Sequence, residues 1–246
     1  MRIAAAQTKP IPYDTQANIL RHLQYIDLAA EHGAQLIAFP EMSLTGYELE
    51  RAAELSFTMD DPRLAVLSER AAQHDMIIIA GAPVRLESAL HISSFIFLPD
   101  KQIALYTKQF LHSGEEVFFS PNHNHNPHII LENERIVCAI CADITNPLHP
   151  ANACSSGATL YVPSIFYTPG GFAEAFHQLG EYSKRHAMNI LMANFTGESY
   201  RYPAAGQSAF WDASGHLVGQ LDETAEGLLL AEKVGGEWRA SVIDVV

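Results

Sequence analysis

The chain has 246 residues, 48% of them hydrophobic and 17% charged, with a formal net charge of −13. That is enough apolar material for one sizeable core, and so negative a surface opposes nucleic acid and anionic membranes as partners. Three cysteines rule out a fully paired disulfide framework, and no stretch approaches the roughly 20 apolar residues of a membrane span.

The opening MRIAAAQTKPIP holds an apolar run too short for a signal peptide, so the expected setting is the reducing cytoplasm. Residues 2–7 read as a buried strand. Residues 14–34 read as a helix with Asp14 as N-cap, an apolar face at Ile19, Leu23, Ile26 and Ala30, and Gly33 as its stop. A strand over 35–39 completes a β-α-β unit. A helix is expected from about Pro62 to His74, then strands over 76–84 and 91–98, the latter turning at Pro99-Asp100 into a hairpin. The polar loop 109–127 is long for a domain interior and so is expected to be functional or disordered. Then come a strand over 134–141, a helix over 146–157, a strand over 158–164, a helix over 171–189 and a strand over 190–195. The tail adds strands near 208–211, 216–221 and 226–234.

Residues 33–46 and 157–170 both run helix stop, apolar strand, proline, glycine-bearing loop. That echo predicts two similar β-α-β halves. No low-complexity linker separates them, so a single domain over 1–246 is expected.

Cys138 and Cys141 are spaced C-x-x-C inside ERIVCAIC. Strand side chains alternate faces, so two positions an odd number apart point to opposite sides and neither share a metal nor close a disulfide. Cys138 is then a core residue. Cys141, where the strand gives way to a loop, is either core or a reactive thiol at a crevice-facing strand end. A nucleophilic thiol needs a base and an oxyanion stabiliser. Glu41 follows an apolar strand and Pro40, and Lys108 ends another apolar strand. Taken singly, each is an ordinary capped strand end or a snorkelling lysine. His123, His125 and His128 lie in a polar loop, where a solvated turn is the expected reading and a metal site the alternative.

Together, AFPEMSLTGY, LYTKQFLHSGEEVFFSP and CAICADITNP resemble the Glu, Lys and Cys motifs of the carbon–nitrogen hydrolase (nitrilase) superfamily, in the same order and at matching separations. The resemblance runs from IAAAQ through ATLYVPS to GQSAFWDASGHLVGQL. It implies an α/β fold, a four-layer α-β-β-α sandwich. It implies Glu41 as general base, Lys108 as oxyanion stabiliser and Cys141 as nucleophile. Glu115, with Glu116 as neighbouring candidate, maps to a second glutamate that orients the lysine and the substrate. The backbone N–H of Ala142 completes the oxyanion site, and Tyr47, Phe166 and Tyr167 fall on loops around the pocket. The chain departs from the common pattern at Gln109-Phe110, at Asn122 and over residues 142–148, which bears on substrate identity.

The implied activity is hydrolysis of a small carboxamide to acid and ammonia through a thioester, with no metal or organic cofactor. A nitrilase or an N-carbamoyl amide hydrolase would use the same triad. An acyltransferase or a non-catalytic scaffold keeping the fold are rivals of other classes. No Arg or Lys occurs from Ala142 to Phe166, so a substrate carboxylate would find no guanidinium beside the nucleophile and a neutral substrate is expected. Self-association, at least as a homodimer, is expected through the helices near 146–158 and 171–189.

Overall fold

A computed structural model describes residues 1–245. Strand β1 (Arg2–Gln7), helix α1 (Thr15–Glu31) and strand β2 (Leu36–Ala38) open the chain. The short α2 (Ala52–Leu55) precedes α3 (Ala65–His74), which leads into β3 (Ile77–Leu86), β4 (Ala89–Phe97) and β5 (Ile103–Thr107). The second half carries β6 (Ile129–Leu131), β7 (Glu134–Ile140), α4 (Leu148–Ser155), β8 (Leu160–Ile165), α5 (Pro169–His186) and β9 (Asn189–Asn194). The hairpin β10 (Glu198–Ser199) and β11 (Tyr202–Pro203) follows, then β12 (Ala209–Trp211), β13 (Leu217–Gln220), β14 (Gly227–Val234) and β15 (Glu237–Asp244).

Two sheets result. One orders its strands β15-β14-β1-β2-β3-β4-β5 and the other β13-β12-β9-β8-β7-β6. In each, three successive strands pair parallel, β1-β2-β3 and β7-β8-β9, and antiparallel strands flank them. The predicted echo is therefore structural: segments 33–46 and 157–170 carry β2 and β8, the central strand of each parallel triplet.

Alternation within the strands builds the layers. Ile3 and Ala5 of β1 and Leu36 and Ala38 of β2 face inward, against Ile136, Cys138 and Ile140 of β7 and Leu160 and Val162 of β8. Ala4, Ala6 and Ile37 face outward beneath Ile19, Tyr25, Ile26 and Ala29 of α1 and Leu67 and Ala71 of α3. On the other sheet, Val137, Ala139 and Tyr161 pack outward against Ala153 of α4 and Phe172, Ala175 and Leu179 of α5. The order of layers is α-β-β-α, as the resemblance implied.

Several expectations shift. Asp14 does cap α1, accepting from Ala17 N at 2.9 Å, but the buried stripe is Thr15, Asn18, Ile19, His22, Tyr25, Ile26 and Ala29. Leu23 and Ala30 are only half-buried, because polar side chains take their place with internal partners: Asn18 exchanges hydrogen bonds with Ile11, and His22 bonds Ser43. Strands β6, β10, β11 and β15 were not predicted. β15 is an edge strand with every residue exposed or half-exposed, although Trp238, Ala240 and Val242 alternate with Glu237, Arg239 and Ser241 as a half-buried strand would.

Candidate active site

The carboxyl ends of β2, β5, β7 and β8 converge between the sheets, and Glu41, Lys108 and Glu115 lie there. Glu41 follows β2 after Phe39-Pro40. The turn that carries it is braced by Phe39 N to Ile79 O (2.9 Å) and Leu44 N to Gly81 O (2.9 Å). This close run of backbones explains Gly81: a Cβ there would meet Met42 N at 2.4 Å and Pro40 O at 2.9 Å. Lys108 follows β5, its amide bonded to Ile92 O at 2.9 Å.

Lys108 Nζ donates to Glu41 Oε1 and to Glu115 Oε1, each at 2.7 Å, and none of the three side chains is more than 1% exposed. A buried ammonium is tolerated only when so paired. Burial alone would push Lys108 down; the carboxylates of Glu41 and Glu115 outweigh it and hold the ammonium above its ordinary range. Burial, with the Glu115 charge adding and Lys108 opposing, raises Glu41 to about 7. Glu41 Oε2 is buried with no hydrogen-bond partner among the described residues, so a free acceptor sits at the heart of the site.

Glu115 also accepts from the Tyr47 hydroxyl (2.6 Å) and from His112 N (2.8 Å). Glu116 instead binds the local Gly114 amide at 2.6 Å and faces outward. Of the two glutamates, only Glu115 reaches Lys108.

Cys141 departs from the strand pattern. The expected alternation does not extend to it: β7 ends at Ile140, and Cys141 adopts φ +41°, a left-handed conformation that a non-glycine residue rarely holds. It opens a 3-10 turn, Cys141–Thr145. The thiol therefore joins the same inter-sheet layer as Cys138 instead of the opposite face, and it is buried, 6% exposed, at the floor of a cavity. The two cysteines stay free. A strained turn between a strand and a helix is also how hydrolase nucleophiles are presented. Burial, then the Glu41 charge, holds the thiol well above its usual range, so it rests as S–H, its sulfur 3.8 Å from Phe166 O. Ala142 N lies in the first turn of that 3-10 helix, where an amide has no acceptor within the helix.

Tyr47, Phe166, Tyr167 and Cys141 line one cavity of about 400 Å³. A larger cleft of about 720 Å³ runs beside α5 past Phe172 and Phe176, but no cysteine lines it. His123 packs edge-on to Phe110 with centroids 5.5 Å apart, His128 Nδ1 lies 3.4 Å from Arg135, and among the described residues no three His, Cys, Asp or Glu side chains gather as a metal would require.

The sequence reading missed Asp143, Tyr106 and His149. Asp143 is fully buried. Its Oδ1 accepts from Gln109 N (3.0 Å) and Phe110 N (2.9 Å), and its Oδ2 from Ile140 N (2.9 Å) and the Tyr106 hydroxyl (2.5 Å). One carboxylate thus joins the backbone after Lys108 to the backbone before Cys141. The Tyr106 oxygen also lies 2.8 Å from His149 Nε2, whose Nδ1 is 2.8 Å from the Tyr161 hydroxyl. Burial lowers His149, so the ring is neutral. With Tyr106 donating to Asp143, one proton arrangement satisfies the chain: Tyr161 O–H to Nδ1, Nε2–H to Tyr106, Tyr106 O–H to Asp143. The only signal in the sequence was an aspartate two residues past the cysteine.

A buried thiol on a strained turn beside a Glu-Lys-Glu cluster is the equipment for attacking an unreactive C–N bond. The family model for carbon-nitrogen hydrolases matches residues 2–240, and the chain belongs to that family, within the nitrilase superfamily. Among solved structures it resembles the amidase of Nesterenkonia sp. AN1, with TM-score 0.86 at 22% identity, covering 96% of this chain and 93% of that one; at this identity the likeness speaks for the fold. Among curated proteins it is 28% identical over 121 residues to an arylacetonitrilase of Aspergillus niger, covering 44% of this chain and 37% of that protein. An arylacetonitrilase of Aspergillus oryzae is 23% identical over 273 residues, 94% of this chain and 82% of that protein. The match thus spans little more than a third of the Aspergillus niger relative's length. Among the described residues no helix is long and apolar enough to cross a membrane.

Proposed function

We propose that the protein is an amidase that hydrolyses a small carboxamide to the acid and ammonia. The observation that carries this reading is the Lys108 ammonium held at 2.7 Å from both Glu41 and Glu115 in the layer that holds the Cys141 thiol. Glu41, lifted towards neutrality by burial, takes the thiol proton as sulfur attacks the carbonyl carbon. Lys108 and the Ala142 amide hold the developing oxyanion; one such donor is typically worth 10²–10³ in kcat. Glu41 returns the proton to the departing nitrogen, ammonia leaves, and a thioester remains on Cys141. Glu41 then deprotonates a water that attacks the thioester, releasing the acid and restoring the thiol. Glu115 orients Lys108, and Tyr47, Phe166 and Tyr167 contact the substrate. No cofactor is invoked in any step.

Supporting an amide substrate, the Nesterenkonia amidase has been solved in complex with butyramide. The glutamine-dependent NAD(+) synthetase of Thermotoga maritima, 24% identical over 239 residues, 89% of this chain and 39% of that protein, is named for its dependence on a carboxamide. The second reading is a nitrilase with the same residues, favoured by the names of the Aspergillus relatives. Ammonia release from matched amides, nitriles and ureido acids, with product identification, separates the readings. Ammonia from amides but not nitriles is expected, and turnover confined to nitriles would replace amidase with nitrilase.

A further inference from the structure

The cavity above Cys141 is walled by aromatic rings. Tyr47 and Phe166 stand with centroids 5.1 Å apart, Tyr47 and Tyr200 at 6.0 Å, and Tyr200 and Tyr202 at 6.3 Å. No Asp, Glu, Lys or Arg lines this space among the described residues; the catalytic charges lie buried beneath it. Its volume, about 400 Å³, falls in the usual range for sites that enclose a small ligand.

Two of the rings come from the β10-β11 hairpin, a two-residue turn whose central residues, Tyr200 (φ +48°) and Arg201 (φ +63°), are both left-handed. Such turns ordinarily use Asn-Gly, because a side chain at positive φ is strained. Here the strained turn is stapled to the segment that begins at Tyr47. Tyr47 N donates to Ser199 Oγ (2.9 Å), Tyr200 N to Glu48 Oε1 (3.1 Å), and the Tyr200 hydroxyl to Glu50 Oε1 (2.8 Å). The staples keep Tyr200 and Tyr202 at the mouth, and Tyr202 remains 56% exposed. A ring serving only to pack would be covered; this one is held open against the cavity.

We infer that the β10-β11 hairpin is a specificity element and that the substrate is an uncharged amide whose acyl chain ends in an aromatic ring. The inference rests on the amidase reading for the reacting group but not for the ring. A cationic acyl group would also suit aromatic faces, but such sites gain most from a carboxylate facing the ligand. Glu48 and Glu50 are instead engaged with the hairpin.

Calorimetric titration of the Cys141→Ala variant with 3-phenylpropionamide, hexanamide and 4-(trimethylammonio)butyramide tests this. The same phenyl and alkyl pair is repeated as nitriles, and kcat/KM is measured with native enzyme. The phenyl ligand should bind about tenfold more tightly than hexanamide, about 1.4 kcal/mol. Tyr202→Ala should collapse that ratio towards one, and Tyr202→Phe should keep it. Tyr202 is exposed enough that neither change threatens folding. A phenyl-to-alkyl ratio of two or less in both series, preference for the trimethylammonium ligand, or no phenyl binding up to millimolar concentration overturns the inference. Should only nitriles be turned over, the amidase reading fails, while the ring preference is still read within the nitrile pair.

Discussion

Replacing Asp143 with Asn should damage both stability and catalysis, and the cost can be worked from its hydrogen bonds. The native carboxylate accepts four bonds, two at each oxygen. Asparagine keeps one acceptor oxygen and presents an NH₂ where the other stood. If its carbonyl serves Gln109 and Phe110, the NH₂ confronts the Ile140 amide and the Tyr106 hydroxyl. Tyr106 can turn to accept one NH₂ hydrogen, passing its own proton to His149 Nε2 if that ring changes tautomer, but the Ile140 amide and the second NH₂ hydrogen then face each other without an acceptor. The opposite orientation strands two amides instead. Either way at least two buried donors lose their acceptor, at roughly 1–3 kcal/mol each, so a loss of about 2–6 kcal/mol is expected. Such a loss is a large fraction of ordinary domain stability. Urea unfolding followed by circular dichroism reads it as a lower midpoint at similar slope. Because Asp143 joins the Lys108 and Cys141 backbones, kcat should fall by more than KM rises. An Asp143→Asn variant within about 0.5 kcal/mol of native, where ordinary surface changes fall, with unchanged kcat, would refute the reasoning.

Gly81→Ala should be severe: its Cβ falls 2.4 Å from Met42 N, so the Glu41 turn must shift, and both thermal midpoint and turnover should drop. Since burial raises Glu41 to about 7 and the base must be ionised, kcat/KM should fall about tenfold per pH unit below 7; a profile flat down to pH 5 contradicts this. Cys141→Ala should abolish turnover, whereas Cys138→Ala, which trims a buried side chain in the inter-sheet core, should mainly cost about 1 kcal/mol of stability. Iodoacetamide labelling with peptide mapping separates the two thiols. We also propose a homodimer, in which α5 and α4 pair with a second copy; light scattering should then give about twice 27.1 kDa, and a monomer mass unchanged on concentrating would exclude it.

Most strands and helices were legible because their signals are local. β1 was read with its observed bounds, and Asp14 was identified as a cap, since alternation and capping depend on neighbours in the chain. β15 escaped although Trp238, Ala240 and Val242 alternate with Glu237, Arg239 and Ser241; its pairing with β14 at the sheet edge is a tertiary fact. Leu23 and Ala30 were assigned to the buried face because composition cannot reveal that Asn18 and His22 find partners inside.

At the site, the order of residues along the chain names the chemistry available: a carboxylate, an amine and a thiol at three apolar strand ends, in an order shared with one superfamily. How they meet is a matter of folding. Glu41 and Lys108 are 67 residues apart and touch because β2 and β5, strands of one sheet running the same way, end at the same edge and send their following residues into the layer between the sheets. Between Glu115 and Glu116, adjacent in sequence, the choice falls to a 3-10 turn that aims one at Lys108 and leaves the other in solvent. The left-handed φ of Cys141 follows no residue preference. It persists because Asp143, bonded to the Ile140 amide and to the lysine loop, over-determines the turn. Such long-range bonds and the strain they hold have no periodicity, and a linear reading has nothing from which to infer them.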